Sequence, residues 1–379
     1  MEMQFADYTY HTQKEIFDQP LIWKRVYESL KFEEAKIKDF LNPILELKNL
    51  RIILTGAGSS AFIGESVQGI IQESTQLCTE AKATTDLITH PQNHFLRNIP
   101  TLLVSFARSG NSPESVETVN LADKYCDTVF YLNITCNKDG ELANFANDNP
   151  EKSYNIILPE ETHDKSLAMT SSFTSMLLTS ILLLNSKQLE SWKSSLEDLC
   201  KHTQELLNQS GKLEEIIAKD FKRVVFLGSG PMLGIARECH LKLQELTDGQ
   251  LICKHDSFLG FRHGPKAVAD ENTLIVYLLS NHNHVLKYEK DLIEDVDKDP
   301  RKIQAICYGN GEEPISDNLA LHLSSEQLST NPFYLVSAAL IGQLMGFFAA
   351  LKYNLNPDNP SRTGAISRVV QGVNIYRES

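Results

Sequence analysis

The sequence has no Cys-x-x-Cys pair: its seven cysteines, at 78, 126, 136, 200, 239, 253 and 307, are scattered and odd in number. That pattern excludes a disulfide framework and a thiolate zinc site, and it fits reduced thiols in a cytoplasmic setting. Positive charge is also short, with 36 Lys and Arg against 49 Asp and Glu over 379 residues, a net charge of −13. Without an overall basic field the chain is not expected to hold DNA or RNA. Residues Met1 to Asp7 lack a basic patch and an apolar stretch, so no export signal is expected. Long apolar runs are scarce, and Phe333 to Leu351 alone compares with a membrane span. It contains Ser337 and Gln343, and its Gly342 and Gly346 permit close helix contact, so the expectation is a core or subunit-interface helix, not a membrane partner. The remainder, 42% hydrophobic and 22% charged, is ordinary for a soluble enzyme large enough for two domains.

What is present is organised around Ser105 to Glu114, Ser-Phe-Ala-Arg-Ser-Gly-Asn-Ser-Pro-Glu. The run Thr101-Leu102-Leu103-Val104 before it reads as a buried parallel strand. Pro113 and Glu114 fit the first turn of a helix. Unpaired N–H groups and the positive end of the helix dipole then converge on the Arg108-Ser109-Gly110-Asn111-Ser112 loop, a setting that grips phosphate.

Upstream, residues 11–48 read as helical, from the spacing of Leu21, Ile22, Val26, Leu30, Ile37, Phe40 and Leu41, with Pro20 and Pro43 at turns or helix ends. Arg51 to Leu54 is a short strand, followed by Thr55-Gly56-Ala57-Gly58-Ser59-Ser60-Ala61 and a helix to about Glu73. This turn matches the dinucleotide fingerprint, but the nearest acidic residue, Glu80, precedes the Ala81–Thr85 segment instead of closing a strand. Strands at Val129–Thr135 and Tyr154–Leu158 follow, then Glu161-Thr162-His163-Asp164 and a helix opened by Ala168-Met169-Thr170-Ser171-Ser172. Three hydroxyl-rich helix starts, near 59, 112 and 171, favour a ligand site over three separate helix caps.

Residues 186–220 read as a connecting helix, after which the first pattern returns: Arg223 to Gly230 repeats Arg51 to Gly58, and Thr273 to Val276 repeats Thr101 to Val104, both at an offset of 172. A shared offset argues an internal duplication. At that offset Ser109 to Ser112 faces Asn281-His282-Asn283-His284, so the second copy lacks the phosphate-type loop. Its His282 and His284 read as a solvated loop, not a metal pair. Glu238, Lys242 and Glu245 share one helix face, flanked by leucines. Phe261-Arg262-His263-Gly264-Pro265-Lys266 offers His263 for acid/base work.

These motifs resemble the sugar isomerase (SIS) domain family, in tandem. Leu54–Ala61, Ser109–Ser112, Lys242–Glu245 and Arg262–Pro265 are similar to the isomerase half of glucosamine-6-phosphate synthase. Ser105–Ser115, Glu161–Asp164, Ala168–Ser172, Gly260–Lys266 and the tail segments Asn356–Pro360 and Arg368–Val373 are closer to the galactosamine-6-phosphate deaminase group, also labelled tagatose-6-phosphate ketose/aldose isomerase. The resemblance implies an α/β fold of two SIS domains, each a mostly parallel sheet flanked by helices in a flavodoxin-like three-layer arrangement. The divisions expected are a helical arm over 1–47, a phosphate-binding domain over 48–200, a second domain over 215–355 and a closing tail over 356–379.

The resemblance also implies roles. Gly58, Ser59, Ser60, Ser109, Gly110, Asn111, Ser112, Thr170, Ser171 and Ser172 would surround the sugar phosphate, with His163, Arg262 and Arg368 nearby. Ala107 replaces a serine of the synthase pattern, and Arg108 could supply charge instead. Glu245 matches the base that moves a proton between C1 and C2, and Lys242 a lysine near the sugar hydroxyls. His263 matches a ring-opening histidine that comes from a neighbouring subunit, which implies a homodimer or higher homo-oligomer. The implied activity is conversion of galactosamine 6-phosphate to tagatose 6-phosphate and ammonia, with no metal or redox cofactor. Three alternatives stand beside it: isomerisation of a non-amino hexose 6-phosphate, a non-catalytic sugar-phosphate sensor, and a dinucleotide-dependent oxidoreductase.

Overall fold

A computed structural model describes residues 8–185, 187–309, 315–316, 318–324, 331–370 and 372–376. The reading of the first seven residues, and Gln371 of the tail motif, lie outside the described residues. The helical arm is α1 (His11–Phe17) and α2 (Gln19–Leu45), with Pro20 in the first turn of α2 and Pro43 in its last. Then come β1 (Arg51–Thr55), α3 (Ser59–Thr75), β2 (Cys78–Ala81), α4 (Thr84–Thr89), β3 (Thr101–Ala107) and α5 (Pro113–Tyr125). The first half closes with β4 (Val129–Thr135), α6 (Glu141–Asp148), β5 (Ser153–Ile157) and α7 (Ser171–Leu183). The expected connecting helix is two helices, α8 (Lys193–Asn208) and α9 (Gly211–Ile217), because the chain turns at Gln209-Ser210.

The second half runs β6 (Arg223–Gly228), α10 (Pro231–Leu246), β7 (Ile252–Asp256), α11 (Phe258–Phe261), β8 (Thr273–Leu278) and α12 (Asn283–Asp297). It ends with β9 (Gln304–Gly309), β10 (Leu321–Ser324) and α13 (Tyr334–Lys352). Both sheets are parallel, ordered β2-β1-β3-β4-β5 and β7-β6-β8-β9-β10. β1, β3 and β8 are buried at every position, because helices cover both faces of such a sheet.

The duplication is visible in the register. Arg51 sits opposite Thr101 and Arg223 opposite Thr273, the same pairing at the same offset. Each copy's first helix starts from a glycine in the left-handed region, Gly58 at φ 56° and Gly230 at φ 55°, where a side chain would be strained.

One continuous apolar cluster joins the halves, running from Ile52 and Leu102 through Ile235 and Leu243 to Leu274 and Ile306. At its centre α10 lies between α3 and α13. A Cβ at Gly234 would stand 2.3 Å from Ser66 Oγ, and one at Gly342 would stand 2.3 Å from Cys239 Cα, so glycine sets both approaches. α13 is the one helix among the described residues long and apolar enough to cross a membrane, and 94% of that stretch is buried inside the protein, as expected of a core helix. The tail folds back on the arm: Asp358 accepts the N–H groups of His11 and Thr12 and the Thr12 hydroxyl, capping α1.

Candidate active site

The order of the first sheet reverses between β1 and β3, and the crevice beyond their carboxyl ends is where ligands bind in open α/β sheets. The turn Gly58-Ser59-Ser60 lies on one side of it and the loop Ser109–Ser112 on the other.

That loop is held open by its neighbours. Gly110 has φ 70°, its carbonyl accepts Leu142 N–H, and the Asn137 amide donates to Ser109 O at 2.8 Å. Asn111 Oδ1 accepts Glu141 N–H, and the Ser112 hydroxyl donates to Ser115 Oγ at 2.6 Å. Among the described residues no acceptor takes the N–H groups of Gly110, Ser112 or Glu114. Three unmet donors at the start of α5 leave this turn able to take an acceptor, and a helix N-terminus favours an anion there.

Across the crevice, the fold buries the charged face of α10. Lys242 is 1% exposed, and its ammonium lies 2.5 Å from Glu245, whose side chain stays 24% open to solvent. Burial works to lower the Lys242 pKa, but the carboxyl groups of Glu238 and Glu245 outweigh it and hold the lysine above its ordinary value. A buried cation thus holds an accessible carboxylate.

Arg108, also buried, donates to the carbonyls of Ser166 (3.3 Å), Leu167 (3.0 Å) and Arg368 (2.5 Å). Arg368 donates in turn to Asp164 O. Burial pulls the Arg108 pKa down, and its field reaches Glu245 and Lys242. The expected charge is present, but both terminal nitrogens are committed to carbonyls that tie β3 to the 164–167 loop and the tail. Ser59 adjoins Glu238, and Ser60 Oγ lies 3.8 Å from Met169 Sδ. The turn, the loop, the α10 charges and the tail arginine therefore converge.

A SIS domain model matches residues 44–186. D-galactosamine-6-phosphate deaminase AgaS from Shewanella sp. (strain ANA-3) is 41% identical over 96% of this chain and 91% of its own. The chain belongs to the AgaS family. A solved chain from Clostridium novyi NT superposes on this member with a TM-score of 0.91 at 38% identity, over 97% of this chain and 95% of that one. Tagatose-6-phosphate ketose/aldose isomerase from Escherichia coli gives 0.89 at 33% identity, over 99% of each chain.

Within this AgaS-family frame several expectations change. Thr170, Ser171 and Ser172 do not present free donors to an anion. Their N–H groups and hydroxyls all point at the buried Asp164 carboxylate, which occupies the start of α7. Asp164 was legible only as part of a motif, because six residues separate it from the helix it caps. Glu80 was not expected to close a strand, but it lies near the end of β2, which runs to Ala81; it pairs there with Arg51, so it is not free to meet a ribose.

His163 stands beside Asp164; burial first, then Arg368 and Arg108, lowers its pKa, which keeps the ring neutral at neutral pH. Arg262 and His263 are exposed on the turn after α11, where Arg262 donates to Asp291 O on α12. Within one chain the structure does not bring them to Lys242 and Glu245. His282 caps α12, its Nδ1 accepting His284 N–H. In the second half the buried Glu289 accepts Ser280 N–H at the position that corresponds to Arg108.

Proposed function

We propose that this chain converts galactosamine 6-phosphate to tagatose 6-phosphate and ammonia in the cytoplasm, as a homodimer or higher homo-oligomer whose subunits share sites. The observation that carries this reading is the buried Lys242 ammonium holding an accessible Glu245 carboxylate, both within the field of Arg108, which heads the loop with the unmet N–H donors. The relatives named for this deaminase activity match the chain over nearly its whole length.

In this reading Gly58, Ser59, Ser60 and the Ser109–Ser112 loop hold the phosphate. His263 of a second subunit, with Arg262, helps open the ring. Glu245 then removes the C2 proton of the open-chain 2-amino aldehyde, and the electron pair moves to form the C1=C2 bond as O1 gains negative charge. Lys242 stabilises that oxygen, with the field of Arg108 behind it. Glu245 returns the proton to C1 as the nitrogen lone pair forms the C2=N bond, and a proton passes from nitrogen to O1, which leaves a hydroxyl at C1 and an imine at C2. Water adds to the imine carbon, the C–N bond breaks, and the amine leaves as ammonia; the net step is a hydrolysis.

The decisive assay measures ammonia release from galactosamine 6-phosphate and glucosamine 6-phosphate, with tagatose 6-phosphate as an isomerase control. Ammonia from the galacto substrate supports the reading. Interconversion of tagatose 6-phosphate with its aldose, and no ammonia from either amine, would replace it with a ketose/aldose isomerase, as the Escherichia coli structure is named.

The loop gives a separate prediction. Ser112→Ala removes a hydroxyl but leaves the N–H groups, so it should raise KM by roughly 10- to 150-fold, the worth of one hydrogen bond to a charged group. Steady-state kinetics should show kcat nearly unchanged, because the phosphate is bound equally in the ground and transition states. A fall in kcat with constant KM would place Ser112 at the reacting carbons instead.

A further inference from the structure

Glu238 precedes Lys242 by one turn of α10, and the steps above give it no part. Its side chain is fully buried, and among the described residues the donors near its carboxyl oxygens are the Ser59 hydroxyl and the Lys242 ammonium, neither within good hydrogen-bond geometry. Oε1 lies 3.5 Å from Lys242 Nζ, whereas Nζ lies 2.5 Å from Glu245. One ammonium therefore faces two carboxyl groups in a closed space. A second negative charge there, with one hydroxyl and one shared ammonium to meet it, is disfavoured.

Among the described residues no other cation contacts Glu238. On α10 the neighbours are Lys242, Glu245 and the buried Cys239 thiol. From α3 come Ser59 and, farther along, Glu65, which is paired with Arg237. From α13 comes the neutral Gln343, bonded to Gln19. β7 carries His255 together with Lys254 and Asp256, which pair with each other. Arg108 acts on Lys242 and Glu245 from the end of β3.

We propose that Glu238 is a positioning residue that works as a neutral carboxylic acid: it seats the Lys242 ammonium in the interior while leaving that charge to Glu245 and to the substrate oxygen. Burial supports this by pushing the Glu238 carboxyl up to about 8, with Lys242 opposing the rise and Glu245 adding to it. The proton is held in the folded state and leaves as pH rises through that value. Ionised Glu238 then competes for Lys242 and loosens its pairing with Glu245.

Ammonia release by the wild type should accordingly lose roughly tenfold in kcat between pH 7 and pH 9, one pH unit past the midpoint being a factor of ten. Glu238→Gln fixes the neutral form and should move this alkaline inflection upward or remove it. A purely structural role would scale the rate equally at every pH. Superimposable pH profiles of the wild type and E238Q overturn the proposal.

The proposal rests on Lys242 and Glu245 as the reacting pair, so a readout independent of turnover is needed. Infrared titration of the wild-type chain supplies it: the carbonyl stretch of a protonated carboxylic acid should persist at pH 7 and bleach with a midpoint near 8. Glu15, raised to about 7 by burial and by Asp164, also contributes there, and Glu15→Gln removes its share. Burial also raises the Glu289 carboxyl, so Glu289→Gln is added to Glu15→Gln, and a band that survives in E15Q/E289Q supports the inference even if no ammonia is formed. Its absence at pH 7 overturns the inference even in an active enzyme, or where E238Q fails to fold.

Discussion

Glu245→Gln should lower kcat for ammonia release by about two to four orders of magnitude, the usual worth of positioned general acid–base catalysis. KM should change little, because the carboxylate acts on the proton at C2 and not on the phosphate. The variant is expected to fold. Glu245 is partly open to solvent, so the amide fits without a cavity, and loss of its charge does not strand Lys242. Glu238 lies 3.5 Å from the ammonium and holds a proton up to about pH 8 partly because Glu245 repels its charge. Burial is the larger cause of that rise, but with Glu245 neutral the repulsion is gone, so the Glu238 carboxyl falls toward its ordinary value and pairs more readily with Lys242. The Glu238 contribution to the pH dependence of stability should therefore move to lower pH in E245Q. Full ammonia release by E245Q, with substrate still bound, would show that another group moves the proton.

Much of the architecture was legible because it rests on short-range rules. Buried strands of a parallel sheet are continuous apolar runs, so β1, β3, β4, β6 and β8 stand out in the sequence. Pro113 and the glycine turns mark helix starts by local backbone preference. The duplication needed only a shared offset, and the register of the two sheets repeats it. Legibility ends where contacts are long-range. Glu238, Lys242 and Glu245 form a helix face from spacing alone, but spacing cannot distinguish a solvated face from a buried one. The burial comes from α3 and α13, far off in sequence, which approach through Gly234 and Gly342. Arg108 is the same kind of case. Its partners at 166, 167 and 368 include one 260 residues away, so its clamp on the tail could not be read beforehand. Three hydroxyl-rich helix starts also looked alike in sequence, and one of them proves to be occupied by a carboxylate of the protein itself.

That occupancy predicts the largest stability effect. Asp164→Ala should destabilise the chain by about 3–5 kcal/mol, the range for removing one partner of a buried charged network. The carboxylate receives N–H bonds from Thr170 (2.9 Å), Ser171 (3.0 Å) and Ser172 (3.1 Å), and bonds from all three hydroxyls. All three residues are fully buried, so water cannot replace the lost acceptor without opening the packing around α7. Arg108 and Arg368 lose a nearby counter-charge in the same step. Asp164→Asn should recover only part of the loss: it keeps the shape and one oxygen, but turns an N–H₂ group toward groups that are themselves donors. Urea titrations of the two variants and the wild type measure the order, with D164A least stable and D164N between. The rival view, in which the start of α7 holds the sugar phosphate, predicts the reverse. Removing Asp164 would then open an anion site, and inorganic phosphate would bind D164A more tightly and restore its stability. An unchanged urea midpoint for D164A, or its recovery on adding phosphate, would return Thr170, Ser171 and Ser172 to the substrate; a loss that phosphate cannot reverse keeps them in the scaffold.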